Sequence, residues 1–91
     1  VTIIYDESKR QANIAKHGFD FSEFEAAFSF DRFVTLPAKA SRTGRIRFTL
    51  VGTWKGATVV VAIVSPLGTE AVSLVSIRHA NAKERAVHDQ A

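Results

Sequence analysis

Three separated groups of side chains have the types and spacing to hold a phosphate or move a proton. The first is Lys9, Asn13, Lys16 and His17. At 100° per residue these positions fall on about a third of a helix circumference. They would gather two ammonium groups, an amide and an imidazole on one face. The second is Arg45 and Arg47, which point the same way if they lie on a strand. Arg binds phosphate oxygens in pairs, so two guanidiniums on one strand face suit an anion. The third is Arg78, His79 and Arg85, around a strand-to-helix junction where free helix amides also attract anions. Each group has a plainer reading. The helix face can be solvated, a His in a last turn is favoured by the helix dipole, and the Arg strand can be an edge kept soluble by charge. Arg85 and Asp89 can form an ordinary i,i+4 pair.

Other chemistries lack their parts. There are no cysteines, which removes thiolate metal sites, disulfide frameworks and Cys nucleophiles. The nine Asp and Glu are scattered, with no H-E-x-x-H or similar metal-ligand spacing. No Gly-rich phosphate loop and no nucleophile elbow is present. We therefore expect no metal and no cofactor. The longest apolar run, Val59 to Val64, is too short to span a bilayer, and no basic-plus-apolar leader opens the chain. The expectation is a cytoplasmic protein that does not engage membranes. The net charge of +3, from 12 Lys and Arg, is mild and by itself says little about an anionic partner.

The elements that must position these groups are legible in outline. Ninety-one residues, 46% hydrophobic with seven Phe, fit one packed domain over residues 1–91. Thr2 to Tyr5 reads as a strand, and Asp6 caps a helix that runs to His17 and stops at Gly18. Ser22 to Glu25 has capping-box spacing, which predicts a second helix over 23–29 carrying Phe24, Ala27 and Phe28. Residues 33–36 form a strand ended by Pro37, and Ala38 to Gly44 a basic loop. Ile46, Phe48 and Leu50 alternate with Arg45, Arg47 and Thr49 in a strand with one apolar and one cationic face. Thr58 to Val64 is a buried central strand, and Pro66 to Gly68 a turn. Glu70 to Ile77 is a further strand. Asn81 and Glu84 cap a last helix over 82–89. The expected fold is α+β in the order βααββββα. It is an antiparallel sheet of four to five strands built from consecutive hairpins, with two N-terminal helices and a C-terminal helix on one side.

Taken together, these residues resemble a known family. Tyr5-Asp6-x-x-Lys9-x-x-x-Asn13-x-x-Lys16-His17-Gly18-x-x-Phe21 resembles the opening of the BrnT toxins of bacterial type II toxin–antitoxin systems. Arg47-Phe48 followed by Gly52 resembles their central strand, and Ser76-x-Arg78-x-Ala80-x-x-x-Glu84-Arg85 their closing segment. The likeness spans nearly the whole chain. It implies a RelE-like fold and a metal-independent endoribonuclease that inhibits translation. It also implies a cognate BrnA-like antitoxin, through which alone operator DNA is bound. The sequence departs from the pattern at Tyr5, Ile46, Ser73, Ile77, His88 and Asp89, where the family commonly has Trp, an acidic residue, Arg, Ala, Tyr and Glu.

RNA carries its own nucleophile, the 2′-OH. Cleavage needs a base for that proton, an acid for the leaving oxygen and cations for the phosphate. On this reading His17 transfers a proton, because its ordinary pKa lies near 6.5. Lys9 tunes it or binds phosphate, and Arg47 and Arg78 stabilise the transition state. Lys16, Arg45 and Arg85 bind the RNA backbone, with Asn13 on the same face, and Tyr5 stacks on a base. The alternative is a catalytically degenerate homologue that only binds antitoxin or RNA. A third possibility is an α+β domain with solvated cations.

Overall fold

In the computed structural model the described residues are 2–40 and 44–90. The elements run β1 (Thr2–Ile4), α1 (Glu7–His17), a 3₁₀ turn (Phe21–Glu23), α2 (Phe24–Ala27), β2 (Phe28–Ala40), β3 (Ile46–Trp54), β4 (Thr58–Leu67), β5 (Ala71–His79) and α3 (Ala82–Asp89). The expected α+β class and element order hold. The strands form one five-stranded sheet in the order β1-β5-β4-β3-β2. β2 to β5 are antiparallel hairpin neighbours, as expected. β1 instead joins the far edge parallel to β5, pairing Thr2 with Ala71 and Ile4 with Ser73. The sheet is therefore mixed. A three-residue strand followed at once by a helix cannot make a hairpin, so it docks on an open outer edge, that of β5.

Local signals set most boundaries. Asp6 accepts a hydrogen bond from the Ser8 N–H at 2.7 Å and starts α1. Gly18 ends it in the left-handed region at φ 81°, where a Cβ would be strained. The Asn81 side chain accepts from the Glu84 N–H, and the Glu84 carboxylate accepts from the Asn81 N–H, completing a capping box. Four readings are corrected. Ser22 is not a cap: Asp20 accepts from both the N–H and the hydroxyl of Ser22. α2 ends at Ala27, and Phe28 opens β2, because its ring packs on the sheet rather than along a helix. β2 continues through Pro37 to Ala40. The missing proline N–H is tolerated because β2 is an edge strand and its register shifts between Leu36 and Lys39. Likewise β4 continues through Pro66, since its pairing with β3 stops at Val64 and leaves no ladder bond to lose on that side. Residues 41–43 of the expected basic loop lie outside the described residues.

Both sheet faces are covered, which corrects the expectation of helices on one side. Val60, Ala62 and Val64 of β4 pack with Leu74, Ile77, Phe28, Trp54 and the Phe19, Phe21 and Phe24 of the N-terminal segment. The intervening Val61 points the other way, to Val51 and Ala80, with Leu36, Val59 and Ile63 around them. α3 follows Ala80 and lies against β3 and β2 on that second face. Gly52 is required for a different reason from Gly18. A Cβ there would sit 2.6 Å from the tip of the Phe28 ring, so glycine leaves room for that ring against β3.

Candidate active site

The site begins with how α1 is held. β1 pairs with β5 only as far as Ser73, so farther along β5 has unpaired backbone groups on its outer edge. Asn13, 5% exposed, supplies the missing partner. Its amide nitrogen donates to the Ile77 carbonyl at 3.0 Å and to the Phe19 carbonyl at 2.9 Å, and its oxygen accepts from the Ile77 N–H at 3.0 Å. One side chain thus continues the β ladder and fixes α1 against β5. Asn13 was expected on an RNA-binding face. Its polar atoms are instead engaged with backbone, and its role is to position the helix.

That docking creates a groove of about 430 Å³ between α1 and β5. Lys9, Ala12, Asn13, Lys16 and His17 line one wall, and Val75, Ser76 and Arg78 the other. Besides Asn13, four of the expected site residues, Lys9, Lys16, His17 and Arg78, therefore share this cleft, although Arg78 is 61 positions from His17. Arg78 is fixed by Glu84, to which it donates two hydrogen bonds of 2.9 and 2.8 Å, and it also donates to the His79 carbonyl at 3.2 Å. The pairing holds the Glu84 carboxyl below its ordinary pKa and raises that of Arg78. Half-buried His17 is shifted down, first by burial and then by the charges of Lys16, Arg78 and His79. Both effects favour the neutral imidazole, the form that can accept a proton.

Arg47 is on the same sheet face as Arg78 but not in the groove. Val51 pairs with Val61 and Val61 with Arg78, so Arg47 lies four residues along and two strands across. That separation is roughly 16 Å between Cα atoms. Arg45 lies exposed just before β3. Arg85, on the first turn of α3, donates to the Ala80 carbonyl at 2.9 Å. The expected Arg85–Asp89 pair is not among the ion pairs of the described residues, and Asp89 lies 3.8 Å from the His88 imidazole instead. Tyr5 is separated from the groove. It meets Phe21 edge-on at 5.8 Å and borders an opening with Ile3, Ser22, Glu25 and Ala26. Its packing continues the first-face core, so it does not share a wall with the cationic cluster.

The sequence reading passed over three side chains that complete the site. Ser76 shares the strand face of Arg78, an alternation that could have been read from β5. Glu84 was read only as a cap, yet it also holds Arg78. His79, beside Arg78 in the sequence, has its ring packed edge-on to Phe19 at 4.9 Å. Among the described residues no group of three or more His, Asp or Glu is arranged to hold a metal ion, and no helix is long and apolar enough to cross a membrane.

Residues 5–84 match the family model described as the ribonuclease toxin, BrnT, of type II toxin–antitoxin systems. The fold is similar to the 1.1 Å crystal structure of the Brucella abortus ribonuclease toxin, BrnT. The TM-score is 0.72 at 40% sequence identity, over 89% of this chain and 97% of that one. No protein of curated function matches the chain. With a family model over most of the chain and a solved relative at that identity, the chain belongs to the BrnT family of ribonuclease toxins of type II toxin–antitoxin systems.

Proposed function

We propose that residues 1–91 act as one toxin unit that cleaves RNA without a metal and so arrests translation in the bacterial cytoplasm. The observation that carries this reading is the shared groove of Lys9, Lys16, His17 and Arg78. A neutral imidazole beside three cations suits attack by a 2′-OH. His17 takes the hydroxyl proton, while Lys9 and Arg78 stabilise the charge building on the phosphate oxygens. Lys16 holds the RNA backbone beside the groove. Arg45, Arg47 and Arg85 extend the binding surface over the sheet face and the start of α3. The partner is a BrnA-like antitoxin, which alone contacts operator DNA. An acidic or amphipathic antitoxin segment over the groove would inhibit by occlusion, and its binding would weaken with salt.

The test is cleavage of RNA by the purified protein in EDTA, beside His17→Ala and Arg78→Ala. Cleavage that survives EDTA and drops in both variants is expected. Activity abolished by EDTA would overturn the metal-free route, and full activity in both variants would overturn the assignments. The bidentate hold of Glu84 on Arg78 favours one second reading, a degenerate toxin that binds RNA or antitoxin without cutting. Growth arrest on expression without antitoxin would rule against it.

A further inference from the structure

The groove supplies a base but, on its walls, no evident acid for the leaving oxygen. Lys9, Lys16 and Arg78 are cations, a side-chain class that stabilises negative charge better than it gives up protons near neutrality. A second imidazole stands close by. His79 is the last residue of β5 and follows Arg78 directly. It pairs with Val60, so it leaves the strand on the face opposite Arg78. Its ring is exposed, yet it is not a loose surface group. One side packs edge-on to Phe19 at 4.9 Å, and Phe19, itself 7% exposed, packs edge-on to Trp54 at 5.3 Å. Among the described residues no hydrogen bond uses either ring nitrogen of His79. The exposed imidazole thus rests on one buried aromatic ring, which is itself seated on Trp54, and keeps both nitrogens free.

The geometry of α1 brings His17 to the same end of β5. Asn13 is bonded to Ile77, and His17 is one helical turn beyond Asn13, while His79 is two strand residues beyond Ile77. One turn advances about 5.4 Å and two strand residues about 6.6 Å, so the two imidazoles stay level. Arg78 and His79 leave the strand on opposite faces, with the end of α1 at the strand edge between them.

Resting on the reading that this groove cleaves RNA, we propose that His79 is the general acid of the reaction and forms with His17 a two-histidine pair. The 2′-oxygen attacks phosphorus and its proton passes to the His17 imidazole. The bond from phosphorus to the 5′-oxygen breaks, its electron pair goes to that oxygen, and the proton on His79 neutralises it. The products are a 2′,3′-cyclic phosphate and a 5′-hydroxyl, with His17 left protonated and His79 neutral. The charged groups facing the pair are Lys16 from α1 and Arg78 from β5, both cationic, with Glu84 of α3 bound to Arg78. These cations favour the neutral, proton-accepting form of His17.

The experiment compares the parent with His79→Gln, which keeps a planar side chain against Phe19, on two substrates. One is an RNA dinucleotide, whose leaving group needs a proton. The other is a uridine 3′-(4-nitrophenyl phosphate), whose leaving group does not. The expected result is a loss of roughly 10²–10⁴-fold on RNA, a loss under tenfold on the activated ester, and disappearance of the alkaline limb of the kcat/KM profile. Equal losses on both substrates, or none on RNA, would overturn the proposal. A melting temperature matched to the parent excludes a folding defect, and His79→Asn serves if it does not match. Absence of cleavage by the parent itself would instead overturn the ribonuclease reading.

Discussion

The side-chain amide of Asn13 takes the place of a strand residue opposite Ile77, donating to its carbonyl and accepting from its N–H, both at 3.0 Å. The same nitrogen ties down the Phe19 carbonyl at 2.9 Å. Everything in the groove depends on this splice, because Lys9, Lys16 and His17 reach β5 only through the helix it holds. Asn13→Ala leaves three buried backbone groups short of a partner. Each such group costs about 1–3 kcal/mol, partly relieved by relaxation, so a loss of roughly 2–4 kcal/mol is expected. Thermal denaturation should show it as a fall of at least about 8 °C. A variant that melts with the parent would show that the splice adds no stability.

Gly52 and Phe28 make a second such test. Alanine at 52 would put a Cβ 2.6 Å from the Phe28 ring, which is 3% exposed and stacked on Phe24. The ring cannot swing aside without displacing core neighbours. Overpacking of this kind costs about 1–3 kcal/mol. Urea denaturation of Gly52→Ala should show a lowered midpoint, and Phe28→Leu in the same chain should recover part of it.

Acid should unfold the protein through identifiable carboxylates. Asp20 is held well below the usual range, first by the Arg10 guanidinium at 2.7 and 2.9 Å and then by the Ser22 N–H. Glu84 is lowered chiefly by Arg78. A carboxyl whose folded pKa lies below its unfolded one stabilises the fold fully above the unfolded value, about 4, and loses that contribution as pH falls toward the folded value. The melting temperature should therefore fall steadily below about pH 4. Asp20→Asn should start lower at neutral pH and fall less steeply. A slope unchanged in that variant would remove Asp20 from the account.

His17 should titrate below its ordinary value near 6.5, because burial and three cationic neighbours disfavour its charged form. Its ring-proton chemical shift, followed by NMR against pH, measures this directly. Lys16→Ala should move the midpoint upward, and the acid limb of RNA cleavage should move with it. A midpoint at or above the ordinary value would argue against His17 as a base at neutral pH.

Glu84 has two separable duties, and glutamine separates them. Glu84→Gln can still accept from the Asn81 N–H, so α3 should remain capped and the stability cost should be under about 1 kcal/mol. The bidentate hold on Arg78 is lost. If that hold positions the guanidinium for RNA, kcat should fall with stability nearly intact. If it instead sequesters Arg78, kcat should rise, and the degenerate-toxin reading gains.

The sequence determined what depends on near neighbours. Asp6 and Gly18 bound α1, the Asn81–Glu84 box starts α3, and the alternation around Arg47 marks β3, because caps and pleats are set by residues a few positions apart. The spacing of Lys9, Lys16 and His17 likewise put them on one helix face, and the motifs around them pointed to the family. What the sequence could not show is pairing across the chain. Only the fold decided that β1 lies parallel beside β5, that the strands run through Pro37 and Pro66 where no ladder bond is lost, and that helices cover both faces. It also decided which polar residues are spent on structure. Asn13 looked like a ligand-binding residue from its type, but it completes a β ladder, while exposed Tyr5 stands against Phe21 away from the groove. His79 moved the other way, from an unassigned neighbour of Arg78 to an imidazole braced beside the groove. A side chain's type sets the chemistry available to it, but burial and partners across the chain decide whether that chemistry is free to act.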